Sequence, residues 1–264
     1  MRWLALLCAA GCGRVSFDPL ATGDAGGGGG SDSGGVDAIP LPAAIAHWKL
    51  DEGTGLQTFD AINATPGNLN AGASSVAPMW VTTSAPRPAG FAVQFMGDGD
   101  AISIGTVPLL ANLPALTIAG WIRSTDVTDM ATSKCMFDKG TTGVAGWAVE
   151  IGRDGDGSLG LAAYFGATTA YISTPTNALS PNQWIHIAAT WTGSASASGM
   201  HLYVDGAEVL PVISTDAVGT RPSDSAEGAT INCNSSVSLP GQIDDVIIFD
   251  RVLTAQQISQ LYGS

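Results

Sequence analysis

Basic residues are scarce in this chain. Its 264 residues hold 10 Lys and Arg against 23 Asp and Glu, a formal net charge of −13. Phosphate binding needs a basic face, so nucleic acid is excluded as an expected partner. The same deficit excludes an electrostatic hold on anionic lipid. Charged residues make up only 12 % of the chain and hydrophobic residues 45 %, so a sizeable core is expected. Glutamate is rare, at Glu52, Glu150, Glu208 and Glu227. Three histidines, His47, His186 and His201, stand too far apart in sequence to suggest a zinc motif. No Gly-x-Ser-x-Gly elbow occurs. What abounds is glycine, 34 residues, which suits short strands and turns better than helices.

The N-terminus reads as an address. Arg2 precedes a short apolar run, Trp3–Ala10, and small residues Ala9, Ala10 and Gly11 lead to Cys12. The run is too short to span a bilayer and has the order of a secretory signal. Its small-small-Cys ending resembles the bacterial lipobox. That resemblance implies cleavage after residue 11 and a diacylglycerol on Cys12. The other reading is an ordinary cleaved signal with Cys12 unmodified. An exported envelope lipoprotein, held in the outer membrane or at the cell surface by its lipid, is the expectation. Residues 12–43 are expected to be a flexible tether. Residues 21–39 are mostly Gly, Asp and Ser with no apolar period, so nothing there offsets the entropy of ordering.

Cys8 leaves with the signal and Cys12 takes the lipid, which leaves Cys135 and Cys233. In an exported protein such a pair is read first as a disulfide, worth roughly 4 kcal/mol for so long a loop. Two separate buried thiols are the alternative.

From Ala44 to Ser264 the pattern has period two. Alternating or apolar runs lie at Ala46–Leu50, Phe91–Phe95, Ile102–Ile104, Leu116–Ile122, Trp147–Ile151, Leu159–Phe165, Ala170–Ser173, Trp184–Trp191, Met200–Val204, Ala229–Cys233 and Ile243–Phe249. Asp205-Gly206 predicts a two-residue hairpin, and Asp154–Gly157 a turn. One helix is expected, at the end. Thr254 and Gln257 form a capping box, and Leu253 can staple to Ile258. Many strands and one short helix predict an all-β, two-sheet antiparallel sandwich.

Six phrases then stand in order: His47–Gly55, Phe91–Phe95, Leu116–Ile122, Trp184–Trp191, Leu202–Gly206 and Gly241–Leu253. Together they resemble the laminin-G-like jelly roll of the concanavalin A-like lectin/glucanase superfamily, over residues 44–263. The resemblance implies a jelly-roll sandwich on an exported protein, binding a glycan or a surface protein. A minority of that superfamily are glycosidases, whose Glu-x-Asp-x-x-Glu strand is missing here: Glu150 is followed by Ile151, Gly152 and Arg153. The expected function is a non-catalytic binding or adhesion module. A hydrolase with an unrecognised carboxylate pair and a structural envelope lipoprotein are the alternatives.

Two ligand expectations follow. First and last strands of a jelly roll are antiparallel neighbours, which would gather Asp51, Glu52, Asp60, Asp244 and Asp245. Clustered carboxylates repel unless a cation intervenes, so Asp60 and Asp245 are expected to help hold a structural calcium. Solvated acidic loops with a Lys49–carboxylate pair are the competing reading. Asp154–Ser158 opens like an EF-hand loop, but Leu159 and Phe165 stand where glycine and glutamate are needed. For a glycan, aromatic platforms are wanted. Tyr164 lies opposite the Leu159/Leu161/Ala163/Phe165 face, so it and Tyr171 are expected to be exposed ligand contacts.

Overall fold

A computed structural model describes residues 40–70, 76–83, 90–97, 99–128, 134–233 and 238–264. The expected signal, lipidated Cys12 and tether up to residue 39 lie outside the described residues. Ile39–Ser264 forms one compact unit.

The strands are β1 (Ala46–Trp48), β2 (Gln57–Phe59), β3 (Pro66–Asn70), β4 (Met79–Thr83), β5 (Gly90–Phe95), β6 (Ala101–Gly105), β7 (Leu116–Ser124), β8 (Lys134–Thr141) and β9 (Ala145–Ile151). They continue as β10 (Leu159–Phe165), β11 (Thr168–Ser173), β12 (Ile185–Trp191), β13 (Met200–Val204), β14 (Ala207–Val209), β15 (Ile213–Thr215), β16 (Ala229–Ile231) and β17 (Gly241–Phe249). One sheet has eight strands, ordered β14-β13-β12-β7-β17-β5-β4 with β1 also on β17. The other has nine, ordered β15-β11-β10-β9-β8-β16-β6-β3-β2. Every described pairing is antiparallel, which makes the molecule the expected two-sheet sandwich.

The inward residues of both sheets meet in one core. Trp48, Trp147, Trp191, Phe95 and Phe137 are its largest members, and Phe137 stacks on Trp147 at 5.2 Å between ring centres. Asp205 and Gly206 both take positive φ between β13 and β14, as a primed hairpin turn requires. Cys135 and Cys233 form a disulfide with Cα atoms 5.4 Å apart.

The helix α1 (Ala255–Tyr262) begins with the expected capping box between Thr254 and Gln257. Leu253, Ile258 and Leu261 pack with Ala119, Ala188, Tyr203 and Phe249, so α1 covers part of the outer face of the eight-stranded sheet. Tyr262 lies over Trp121 and His186 there, at 5.7 and 5.9 Å. On the nine-stranded sheet the outer face is apolar and buried over β9, β10 and β11 and polar over β2, β3, β6, β16 and β8.

Candidate functional site

Register places one residue per strand in a line across that face. The pairs run Gln57↔Asn68, Asn68↔Ser103, Ser103↔Thr230, Thr230↔Asp138, Asp138↔Ala148, Ala148↔Ala162, Ala162↔Tyr171 and Tyr171↔Thr215. Directly paired residues share a face, so the line crosses all nine strands. Alternation sends the neighbours Leu69, Ile102, Ile231, Phe137 and Val149 into the core.

The line has two halves. From Gln57 to Asp138 it is polar and at least partly exposed. The Gln57 amide donates to Asn68 Oδ1 at 2.9 Å. Phe59, two residues along β2 on the same face, is 47 % exposed. From Ala148 to Tyr171 the line is buried, and a polar network lies over it. Arg153, in the β9–β10 turn, donates to Glu150 Oε2 at 2.8 Å. Its guanidinium sits 4.4 Å above the Tyr171 ring, and the Tyr171 hydroxyl donates to Asp154 Oδ2. The ring lies against β10 because residue 160 is glycine: a Cβ there would come within 2.6 Å of the Tyr171 hydroxyl.

Tyr164 and Tyr171 thus point away from the core as expected, but the expected exposure is corrected. They are 2 % and 6 % exposed, and Tyr171 is covered by a turn that reaches back over the sheet. Burial pushes both phenols up, with Glu150 adding to the effect on Tyr164 and the Asp154 hydrogen bond to that on Tyr171. Burial opposes the Arg153 charge, yet Glu150, Tyr171 and Asp154 outweigh it and raise its affinity for the proton.

Asp138 was not anticipated as a site residue. Burial first, then the charges of Glu150 and Glu227, pushes its carboxyl up to about 7, against some relief from Lys139. Its Oδ1 is buried and has no hydrogen-bond partner among the described residues. The folded state therefore holds this proton up to near neutrality, while the unfolded chain releases it near 3.8. Stability contributed by the proton is lost as pH rises from about 4 to about 7. We expect Asp138→Asn to remove this slope and to exceed wild type at pH 8 by about 2 kcal/mol, allowing for the partial exposure of Asp138. Urea unfolding at pH 4 and pH 8 checks it; equal slopes for the two proteins would contradict it.

The acidic group near β1 forms as topology requires, since Ala46↔Ile248 and Trp48↔Val246 pair antiparallel. Its carboxylates do not converge. Asp60 is 2 % exposed and accepts from the backbone N–H groups of His47, Ile62 and Asn63 and from Asn63 Nδ2. Asp245 instead meets His47 Nε2 at 3.0 Å. Asp51 accepts from Phe91 N, and Glu52 from Thr58 and Phe59. Among the described residues no three His, Cys, Asp or Glu side chains form one cluster, and Asp60 and Asp245 engage different partners.

A rat protein named sushi, von Willebrand factor type A, EGF and pentraxin domain-containing protein 1 is 26 % identical over 194 residues, 67 % of this chain. The chain spans about 5 % of that relative's length. Among solved structures, the binding domain of Paraclostridial Mosquitocidal Protein 1 aligns with a TM-score of 0.60 at 16 % identity, over 83 % of this chain and 51 % of that one. Domain 4 of AbnA, a GH43 extracellular arabinanase from Geobacillus stearothermophilus in complex with arabinotriose, aligns with a TM-score of 0.60 at 17 % identity. That alignment covers 83 % of this chain and 98 % of the domain. At such identities the likeness concerns the fold alone. The Laminin_G_3 family model matches residues 96–259, more than half of the chain. On that match, and with the two-sheet sandwich in place, the chain belongs to the laminin-G-like branch of the concanavalin A-like lectin/glucanases superfamily.

Proposed function

We propose that this protein is an exported, non-catalytic binding module that holds a glycan on the outer face of its nine-stranded sheet. The observation that carries the reading is the row Gln57, Asn68, Ser103, Thr230 and Asp138, drawn from five strands onto one accessible face. Polar groups so placed orient hydroxyl-rich ligands, and an exposed ring such as Phe59 supplies an apolar contact. The arabinotriose bound to the structurally similar arabinanase domain supports a sugar over a protein surface. Lipid attachment at Cys12 would hold the module to the envelope, and Cys12→Ser should move it to the soluble fraction.

A hydrolase is the second reading, because Asp138 and Glu150 share a face on neighbouring strands. Two carboxyls in different protonation states can serve as acid and base. Glu150 is 4 % exposed and held by Arg153, which leaves it poorly placed to reach a substrate.

The test is retention of the full chain on insoluble polysaccharides, with calcium and with chelator, while released reducing ends are assayed. Retention without release is expected. Release that Asp138→Asn abolishes would establish the hydrolase instead. Equal retention in chelator would remove calcium from the account.

A further inference from the structure

We infer that the ligand of this face is a stretch of uncharged polysaccharide lying across the strands over β2, β3, β6, β16 and β8. The inference rests on the glycan-binding reading above and narrows it in charge and in length.

Length follows from register. Neighbouring strands lie about 4.8 Å apart, so the open row from Gln57 to Asp138 spans about 19 Å. Beyond Asp138 the line enters Ala148 and Ala162, 3 % and 0 % exposed, and ends beneath the Arg153–Tyr171 stack. The row is therefore open at the β2 edge and closed at the other end. Its groups repeat with the strands, as the hydroxyls of a polymer repeat with its units. A single sugar would touch only one or two of them.

Chemistry sets the charge. Gln57 Nε2 gives one N–H to Asn68 Oδ1, which leaves Gln57 Oε1 as acceptor and Asn68 Nδ2 as donor. The Ser103 and Thr230 hydroxyls can do either. Sugar hydroxyls, which both donate and accept, match this mixture. No basic side chain stands in the row. The Arg153 guanidinium, over the closed end of the line, is taken by Glu150, and the fully buried Lys139 ammonium serves the carbonyls of Asp224 and Glu227. Asp138 closes the open half, with Glu150 and Glu227 near enough to act on its charge. A uronic acid or sulfated chain would find no free basic group there and would face these carboxyls. A cationic chain would gain from them, but four of the five groups in the row carry no charge to meet it.

The experiment is calorimetric titration of the full chain with three oligosaccharide series: neutral fragments of xylan, cellulose and arabinan; polygalacturonate fragments; and chitosan fragments. Each series runs from the disaccharide upward. Affinity should rise by about fivefold for each further strand engaged, one net hydrogen bond each, and level off once the ligand spans the open row. Asn68→Ala and Thr230→Ala, both near solvent, should each weaken the longest neutral ligand about fivefold. The disaccharide should respond to no more than one of them. Length-independent neutral binding would overturn this inference and leave the glycan-binding module standing. Tighter binding of polygalacturonate, or of chitosan in a manner abolished by salt, would overturn it likewise. Failure of every oligosaccharide would overturn both.

Discussion

Lys139→Met should lower the free energy of unfolding by about 3–5 kcal/mol and the melting temperature by about 10 °C. Lys139 is fully buried in β8. Its ammonium donates to the carbonyl oxygens of Asp224 at 2.6 Å and Glu227 at 3.0 Å, with the Asp224 carboxylate at 3.9 Å. Burial lowers its proton affinity, and Asp224, Glu227 and Asp138 oppose that. Asp224 is itself 1 % exposed and accepts from Asn112 N at 2.6 Å. The ammonium thus gathers oxygens from the loop before β16, as a bound cation would. Methionine keeps most of the stem's packing but leaves a buried carboxylate without its counter-charge, the costly way to break such a pair. Thermal and urea unfolding of the variant check it. A loss below about 1 kcal/mol would show that the loop closes without the ammonium.

The second large effect should come from the disulfide. Replacing both Cys135 and Cys233 by serine should cost about 4 kcal/mol, because the bridge closes a loop across 98 positions and removes much of the unfolded chain's freedom. Part of the cost depends on how much structure the unfolded chain keeps. Denaturant unfolding of the double variant, beside reduced wild type, measures it. A native protein with two alkylatable thiols would contradict the bridge itself. Domains commonly hold only about 5–15 kcal/mol in all, so either change should leave the fold marginal.

Much of the architecture was legible because its strands obey a local rule. Leu159–Phe165 is an unbroken run without a charged residue, bounded by turn residues, and became β10 at the expected bounds. Thr254 and Gln257 carried the start of α1 in their own side chains. The elements that escaped notice break the rule for physical reasons. Pro66-Gly67-Asn68-Leu69-Asn70 is poor in strand-forming residues, yet it pairs on both sides between β2 and β6. In β8 the buried residues include Lys134 and Lys139. Their charges are met by Asp126 and Thr128, and by Asp224 and Glu227 more than 80 positions away, which no local pattern reveals.

The site was less legible than the fold. Alternation set the outward direction of Tyr164, but Tyr164 and Tyr171 are both buried, and Arg153 and Asp154, which reach over Tyr171, lie in a turn whose path alternation does not describe. The polar row needs the register of β2, β3 and β8, none of them anticipated. Asp138 stands between Phe137 and Lys139, a setting in which an aspartate reads as an ordinary surface residue. Its proton affinity depends on Glu150 and Glu227, brought close only by pairing.

The central claim, that the outer face of the nine-stranded sheet is the ligand face, is tested most directly by one comparison. The triple variant Asn68→Ala, Thr230→Ala, Asp138→Ala is set beside His201→Ala, a change on the opposite sheet where His201 meets Glu208 at 2.7 Å. Both are assayed for retention on the best-bound polysaccharide after their melting temperatures confirm folding. Three lost contacts at about fivefold each predict a loss of about a hundredfold for the triple variant, and none for His201→Ala. Undiminished retention by a folded triple variant would place the ligand elsewhere on the molecule.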